Sequence, residues 1–138
     1  MDYPAVFKPA EEGGYVVTFR DIPEAITQGE TLEEAKILAL DVLISAMDFY
    51  FEDQRVVPLP STTRRGERPV TLPLSIAAKV FLLNEMLMQG IGSTELGRRL
   101  GLIPQKANRI VDFHHKTKID TMANALGVLG KRLEISVV

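Results

Sequence analysis

The chain has 138 residues, 46% of them hydrophobic, no cysteine and a net charge of -2. That is ordinary globular material, enough for one medium domain or two small ones, and it excludes disulfides and thiolate metal sites. No apolar run reaches the roughly 18 residues of a spanning helix, and Met1-Asp2-Tyr3-Pro4 lacks the basic-then-apolar layout of a secretory signal, so no membrane is expected and the location is read as cytoplasmic.

Tyr3 to Lys8 and Tyr15 to Arg20 are short runs rich in aromatic and β-branched residues. The loop between them closes in Gly13-Gly14, which makes the pair a predicted hairpin. A third run, Ala25 to Gln28, follows Asp21-Ile22-Pro23. Thr31, with Glu34 three residues on, forms a capping box. The helix it starts carries Leu32, Ala35, Leu38, Ala39, Val42, Leu43, Ala46 and Phe49 at helical spacing. Arg55 to Leu59 reads as a last strand. The expected order is βββαβ, an antiparallel sheet crossed by one helix, over residues 1–60. Sixty residues bury a thin core, so this half is expected to gain stability from a partner or from self-association.

Pro58 to Pro69 is polar, proline-bearing and without hydrophobic period, and residues 61–70 are read as a linker. Its Arg64, Arg65 and Arg68 are read as a solvated basic tether, with phosphate contact as the alternative. Charge divides at the same place. Residues 1–60 hold twelve acids against four cations, and residues 61–138 hold twelve cations against six acids. A basic second half suits a phosphate backbone, and an acidic first half suits a basic partner.

Residues 71–138 read as an all-α domain. Leu74 to Gln89 is a long apolar helix with Ile76, Val80, Leu83 and Leu87 along one stripe. Ser93 is the expected cap of a short helix from Thr94 to Leu100, Gly101-Leu102-Ile103 is a turn, and Pro104 opens the next helix, where a missing N–H costs nothing. Leu96, Gly97 and Leu100 face inward on the first of this pair; Ala107, Ile110 and Val111 do so on the second. Gln105, Lys106, Asn108, Arg109 and Asp112 are left outward. Forked amides and cations at the start of a helix are the chemistry of base reading in a DNA major groove. A solvated helix face is the bland alternative. The expected contacts to double-stranded operator DNA are Thr94, Arg98, Pro104, Gln105, Lys106, Asn108, Arg109, His114 and Lys116. Ile119 to Leu129 repeats the helical period, with Asp120 as a cap and Gly130 as a stop. After Gly130 the period turns to alternation, with Leu133, Ile135 and Val137 on one side. The reading is a short strand that pairs with its copy in a homodimer or higher homo-oligomer; a frayed terminus is the alternative.

Two resemblances follow from these residues. Thr94-Glu95-Leu96-Gly97-Arg98-Arg99-Leu100-Gly101-Leu102, then Asn108-Arg109-Ile110, then Thr121 to Gly127, resembles the phage-repressor (XRE) class of helix-turn-helix over about forty residues. Tyr3-Pro4-Ala5-Val6-Phe7, Gly14-Tyr15-Val16-Val17-Thr18-Phe19, Asp21-Ile22-Pro23 and Thr27 to Ala35 resemble the HicB antitoxin family over roughly residues 3–50. That family implies a degenerate RNase H-like first domain, within an α+β chain, that masks a HicA-type toxin cleaving mRNA, and a second domain that represses the operon encoding both. On the resemblance, Tyr15, Phe19, Asp21, Glu24 and Glu30 are the expected toxin contacts. Arg20-Asp21 and Pro23-Glu24 stand where the family usually has Pro-Asp and Pro-Gly.

No enzyme is expected. Asp2, Asp21, Glu30 and Glu34 are the acids a metal-dependent nuclease would use, but they scatter among a strand start, a loop and a helix first turn. Adjacent His114 and His115 point to different faces and do not chelate one metal as an i, i+4 pair does. No cofactor and no metal are implied. A repressor whose first domain senses a small ligand, with no toxin partner, is the competing function.

Overall fold

Three runs of alternating character become neighbouring strands in the computed structural model, which describes residues 1–138: β1 (Asp2–Pro9), β2 (Tyr15–Phe19) and β3 (Ile26–Gly29). The β1–β2 hairpin closes through Ala10 N–H to the Gly14 carbonyl at 2.9 Å, with Gly13 and Gly14 at φ 97 and 78, values that suit residues without a Cβ. The register sets Ala5 opposite Phe19 and Phe7 opposite Val17, and Val17 opposite Thr27, so one face carries the apolar set. That face receives α1 (Leu32–Glu52). Thr31 Oγ1 accepts from Glu34 N–H at 3.1 Å at its start, as the cap signal predicts. Ala35, Ala39, Leu43, Ala46, Met47 and Tyr50 form its buried stripe against Tyr3, Val17, Phe19 and Ile22.

The last strand is not where the sequence places it. Arg55 to Leu59 has no strand structure; β4 is Arg68–Thr71, across the end of the expected linker, and pairs antiparallel with β1. The sheet order is β3-β2-β1-β4. Val56-Val57 supplies β-branched residues, but Val57 is buried as part of an extended strap whose Pro58 carbonyl accepts from Tyr3 Oη at 2.7 Å. Pro69 hid the true strand. It faces Pro4 across the pair, so its missing N–H points to the open edge, where no ladder bond is lost. The expected α+β class and the order βββαβ are the observed ones.

The chain forms two compact units: residues 1–53 with 57–73, and residues 54–56 with 74–138. The second unit contains α2 (Leu74–Gln89), α3 (Ser93–Leu100), α4 (Pro104–Ile110) and α5 (Ile119–Val128). Its core is Val80, Leu82, Leu83, Met86, Leu96, Ala107, Ile110, Phe113, Met122, Ala125, Leu126 and Leu129. Each large aliphatic side chain buried here contributes about 1.5–3 kcal/mol relative to exposure. No single helix is long and apolar enough to cross a membrane.

Candidate functional site

α3 and α4 meet through small residues. Gly97 is buried, and a Cβ built on it would lie 2.9 Å from Ala107 Cβ and 3.4 Å from the Leu102 carbonyl oxygen. The turn between them is a left-handed cap: Gly101 has φ 68, and Leu102 N–H reaches the Gly97 carbonyl at 2.9 Å. Gly92, not Ser93, occupies the N-cap of α3, and no side chain caps it. Pro104 sits at the start of α4 as expected. With Ala107 and Ile110 buried, Gln105, Lys106, Asn108 and Arg109 are all exposed. α4 is shorter than its apolar period implies. It ends at Ile110, so Val111 is its cap, and Asp112, His114 and Lys116 lie in the turn beyond, all three exposed. Thr94 and Pro104 are exposed as well.

The arginines of α3 are not free. Glu95 accepts from Arg98 Nη2 at 2.6 Å and from Arg99 Nε at 3.0 Å, and Arg99 Nη1 also reaches the Val128 carbonyl at 3.3 Å. These hydrogen bonds, Arg98 first, hold the Glu95 carboxyl down at about 2. One carboxylate thus holds the forks of two arginines, and the cluster as a whole still carries a positive charge toward any phosphate.

Sequence reasoning missed Lys79. It is 1% exposed within α2, and its ammonium donates to the Arg109 carbonyl at 3.0 Å, the Asp112 carbonyl at 2.6 Å and Thr117 Oγ1 at 2.8 Å. The available signal was a single cation inside the otherwise uncharged run Leu72 to Leu83. Burial pushes its pKa down from 10.5 to about 8, against the attraction of Asp112. Between those two values the unfolded chain binds the proton more tightly, so stability should rise with pH across that window. Thermal melts at pH 7.5 and 9.5 should show wild type gaining on Lys79→Met over that interval; parallel shifts in the two proteins would contradict it.

The first unit places its expected contact residues less uniformly. Glu30 is exposed and Tyr15 half-buried. Asp21 is half-buried and accepts from Ser61 N–H at 2.8 Å and from Ser61 Oγ at 2.6 Å. Glu24 accepts from Tyr50 Oη at 2.6 Å. Phe19, 2% exposed, corrects its reading as a surface contact: its strand position faces α1. Arg20 donates to Glu67 at 2.8 Å and to the Thr62 carbonyl at 2.6 Å. Residues 57–67 are thus strapped to this unit and do not form a free tether. With Arg64, Arg65 and Arg68 counted in it, the first unit holds thirteen acids against six cations, and the second ten cations against five acids. The acids weighed for catalysis stand apart, with Asp2 accepting from Thr71 Oγ1 and Asp21 from Ser61.

The tail after Gly130 has no strand structure within the single chain. Leu133 is half-buried, whereas Ile135 and Val137 are 71% and 95% exposed.

Residues 2–81 match the family described as HicB-like antitoxin of bacterial toxin-antitoxin system. The chain is 55% identical over 135 residues to Antitoxin HicB 2 of Photorhabdus laumondii, covering 98% of this chain and 95% of that one. It is 49% identical over 138 residues to Antitoxin HicB of Escherichia coli, covering 100% of both. Antitoxin HicB of Pseudomonas fluorescens is 38% identical over 128 residues, 92% of this chain and 88% of that one.

Proposed function

The chain belongs to the HicB-like antitoxin family of bacterial toxin–antitoxin systems, and we propose that it acts through two surfaces. The acidic first unit binds and masks a HicA-type toxin that cleaves mRNA. The basic second unit uses α3 and α4 as a helix-turn-helix of the phage-repressor class to hold double-stranded operator DNA and repress its own operon in the cytoplasm. The carrying observation is the segregation on α4: Ala107 and Ile110 are buried while Gln105, Lys106, Asn108 and Arg109 are exposed together. That is the side-chain set and placement that base-edge readout uses. The protein is a regulator and not an enzyme, and it uses no cofactor.

Division of labour follows the two units more closely than the linker composition, so toxin binding is assigned to residues up to 73 and DNA binding to those from 74 onward. Among the contact residues, Tyr15, Asp21, Glu24 and Glu30 remain the proposed toxin surface. Thr94, Pro104, Gln105, Lys106, Asn108 and Arg109, with His114 and Lys116 beyond the helix, form the proposed DNA surface. Reading both half-sites of a palindromic operator requires a dimer. The exposed apolar tail supports one built from Leu133, Ile135 and Val137, whose unpaired backbone a second copy would satisfy.

Two substitutions test the DNA surface by quantitative binding to the operator and to mismatched duplexes. Gln105→Ala should cost about 1–3 kcal/mol at particular base pairs and relax preference there, whereas Lys116→Ala should weaken all sequences alike and lower the salt slope by about one. Toxin binding should be unchanged in both. Gln105→Ala that keeps its sequence preference but fails to neutralise the toxin would assign α4 to the other partner.

A further inference from the structure

Taking a lysine ammonium out of water is unfavourable unless every N–H finds an acceptor, and Lys79 finds three, one for each proton. A methionine of similar length would fill the same space with no charge to desolvate, so packing alone does not call for lysine here. The ammonium adds direction. Two of its acceptors are carbonyls at the end of α4 and just beyond it, and the third lies on the segment leading to α5. Each carbonyl also accepts a turn bond, Arg109 from Asp112 N–H at 3.3 Å and Asp112 from His115 N–H at 3.2 Å. Loss of the lysine would loosen this corner without stripping it. α4 has seven residues and no side-chain bond at its N-cap, too short to hold its shape by itself. It packs chiefly on α3, and Lys79 ties its far end to α2.

Resting on the reading of α4 as the DNA-reading helix, we propose that Lys79 is a positioning residue: it fixes the C-terminal end of α4 on α2 and so sets the angle at which Gln105, Lys106, Asn108 and Arg109 meet the bases. Bidentate base contacts need fixed geometry, whereas attraction to phosphates tolerates a shifted helix. Loss of the pin must therefore separate specific from non-specific binding, a split that general destabilisation would not produce.

The test uses full-length Lys79→Met and Lys79→Gln, each titrated onto a duplex spanning the region upstream of the chain's own gene and onto a random duplex of equal length. Lys79→Met should lose about tenfold or more on the upstream duplex, the scale of one charge-assisted hydrogen bond, with unchanged affinity for the random one. Lys79→Gln, which keeps a shorter donor, should recover part of the loss. It carries the same measurements if Lys79→Met does not fold. Without DNA, amide hydrogen exchange over residues 109–117 should be faster in the variants and unchanged in the sheet. Equal loss on both duplexes, or full specific affinity with unchanged exchange, overturns the proposal. Wild type that does not distinguish the duplexes refutes the DNA reading instead, and the exchange measurement then decides by itself whether Lys79 pins α4.

Discussion

Gly97→Val should abolish operator binding while leaving toxin neutralisation intact. Even a single Cβ at this position would come within 2.9 Å of Ala107 Cβ, a methyl group held rigidly on α4. Valine adds two further carbons, which must push α4 away from α3 or open the Gly101 turn. Overpacking of this kind costs about 1–3 kcal/mol in stability. The functional loss should exceed the stability loss, because the displaced helix is the one that carries Gln105 and Arg109. Gel shift on the operator and growth rescue from the co-expressed toxin read the two outcomes separately. Pairing Gly97→Ala with Ala107→Gly restores the missing space from the other side and should recover most of the binding lost in Gly97→Ala. No recovery would mean that the close approach is not what sets the α3–α4 geometry.

Gly29→Val should have the converse and larger effect. A Cβ on Gly29 would stand 2.6 Å from Ala35 N and 2.7 Å from Ala35 Cα, backbone atoms that cannot rotate aside. α1 would have to lift from the sheet at its first turn, exposing the stripe that begins with Ala35 and Ala39. The expected cost lies in the exceptional range above about 4 kcal/mol. Neutralisation should be lost, with a fall in strand signal by circular dichroism. A folded first unit that still rescues growth would show that α1 can approach the sheet another way.

The parts of the fold that sequence carried plainly are those where one local signal decides the outcome. Thr31 before an acidic first turn, glycines at the hairpin and at Gly101, and Pro104 at a helix start each act through their own backbone chemistry, and the structure uses each of them. The misplaced last strand shows what local signals miss. Val56-Val57 has the composition of a strand, yet Val57 is buried in a strap, while Arg68-Pro69-Val70-Thr71 pairs because β1 offers it an edge, a partner sixty-odd residues away in the chain. Phe19 fails as a contact for a related reason: its motif marks the strand, but strand alternation turns that position toward α1. Lys79 needed three dimensions, since its acceptors come from residues 109, 112 and 117, and no spacing in the sequence predicts their convergence. Arg98 reads as a DNA contact until Glu95, on the same helix, is seen to hold it together with Arg99.

If toxin and operator use different surfaces of this one chain, a full-length protein carrying Gln105→Ala and Arg109→Ala together should lose one function and keep the other. Co-expressed with the HicA-type toxin proposed as its partner and with a reporter driven by the proposed operator, it should sustain growth as wild type does while the reporter is released. Growth lost while the reporter stays repressed would mean that α4 serves the toxin and not the operator.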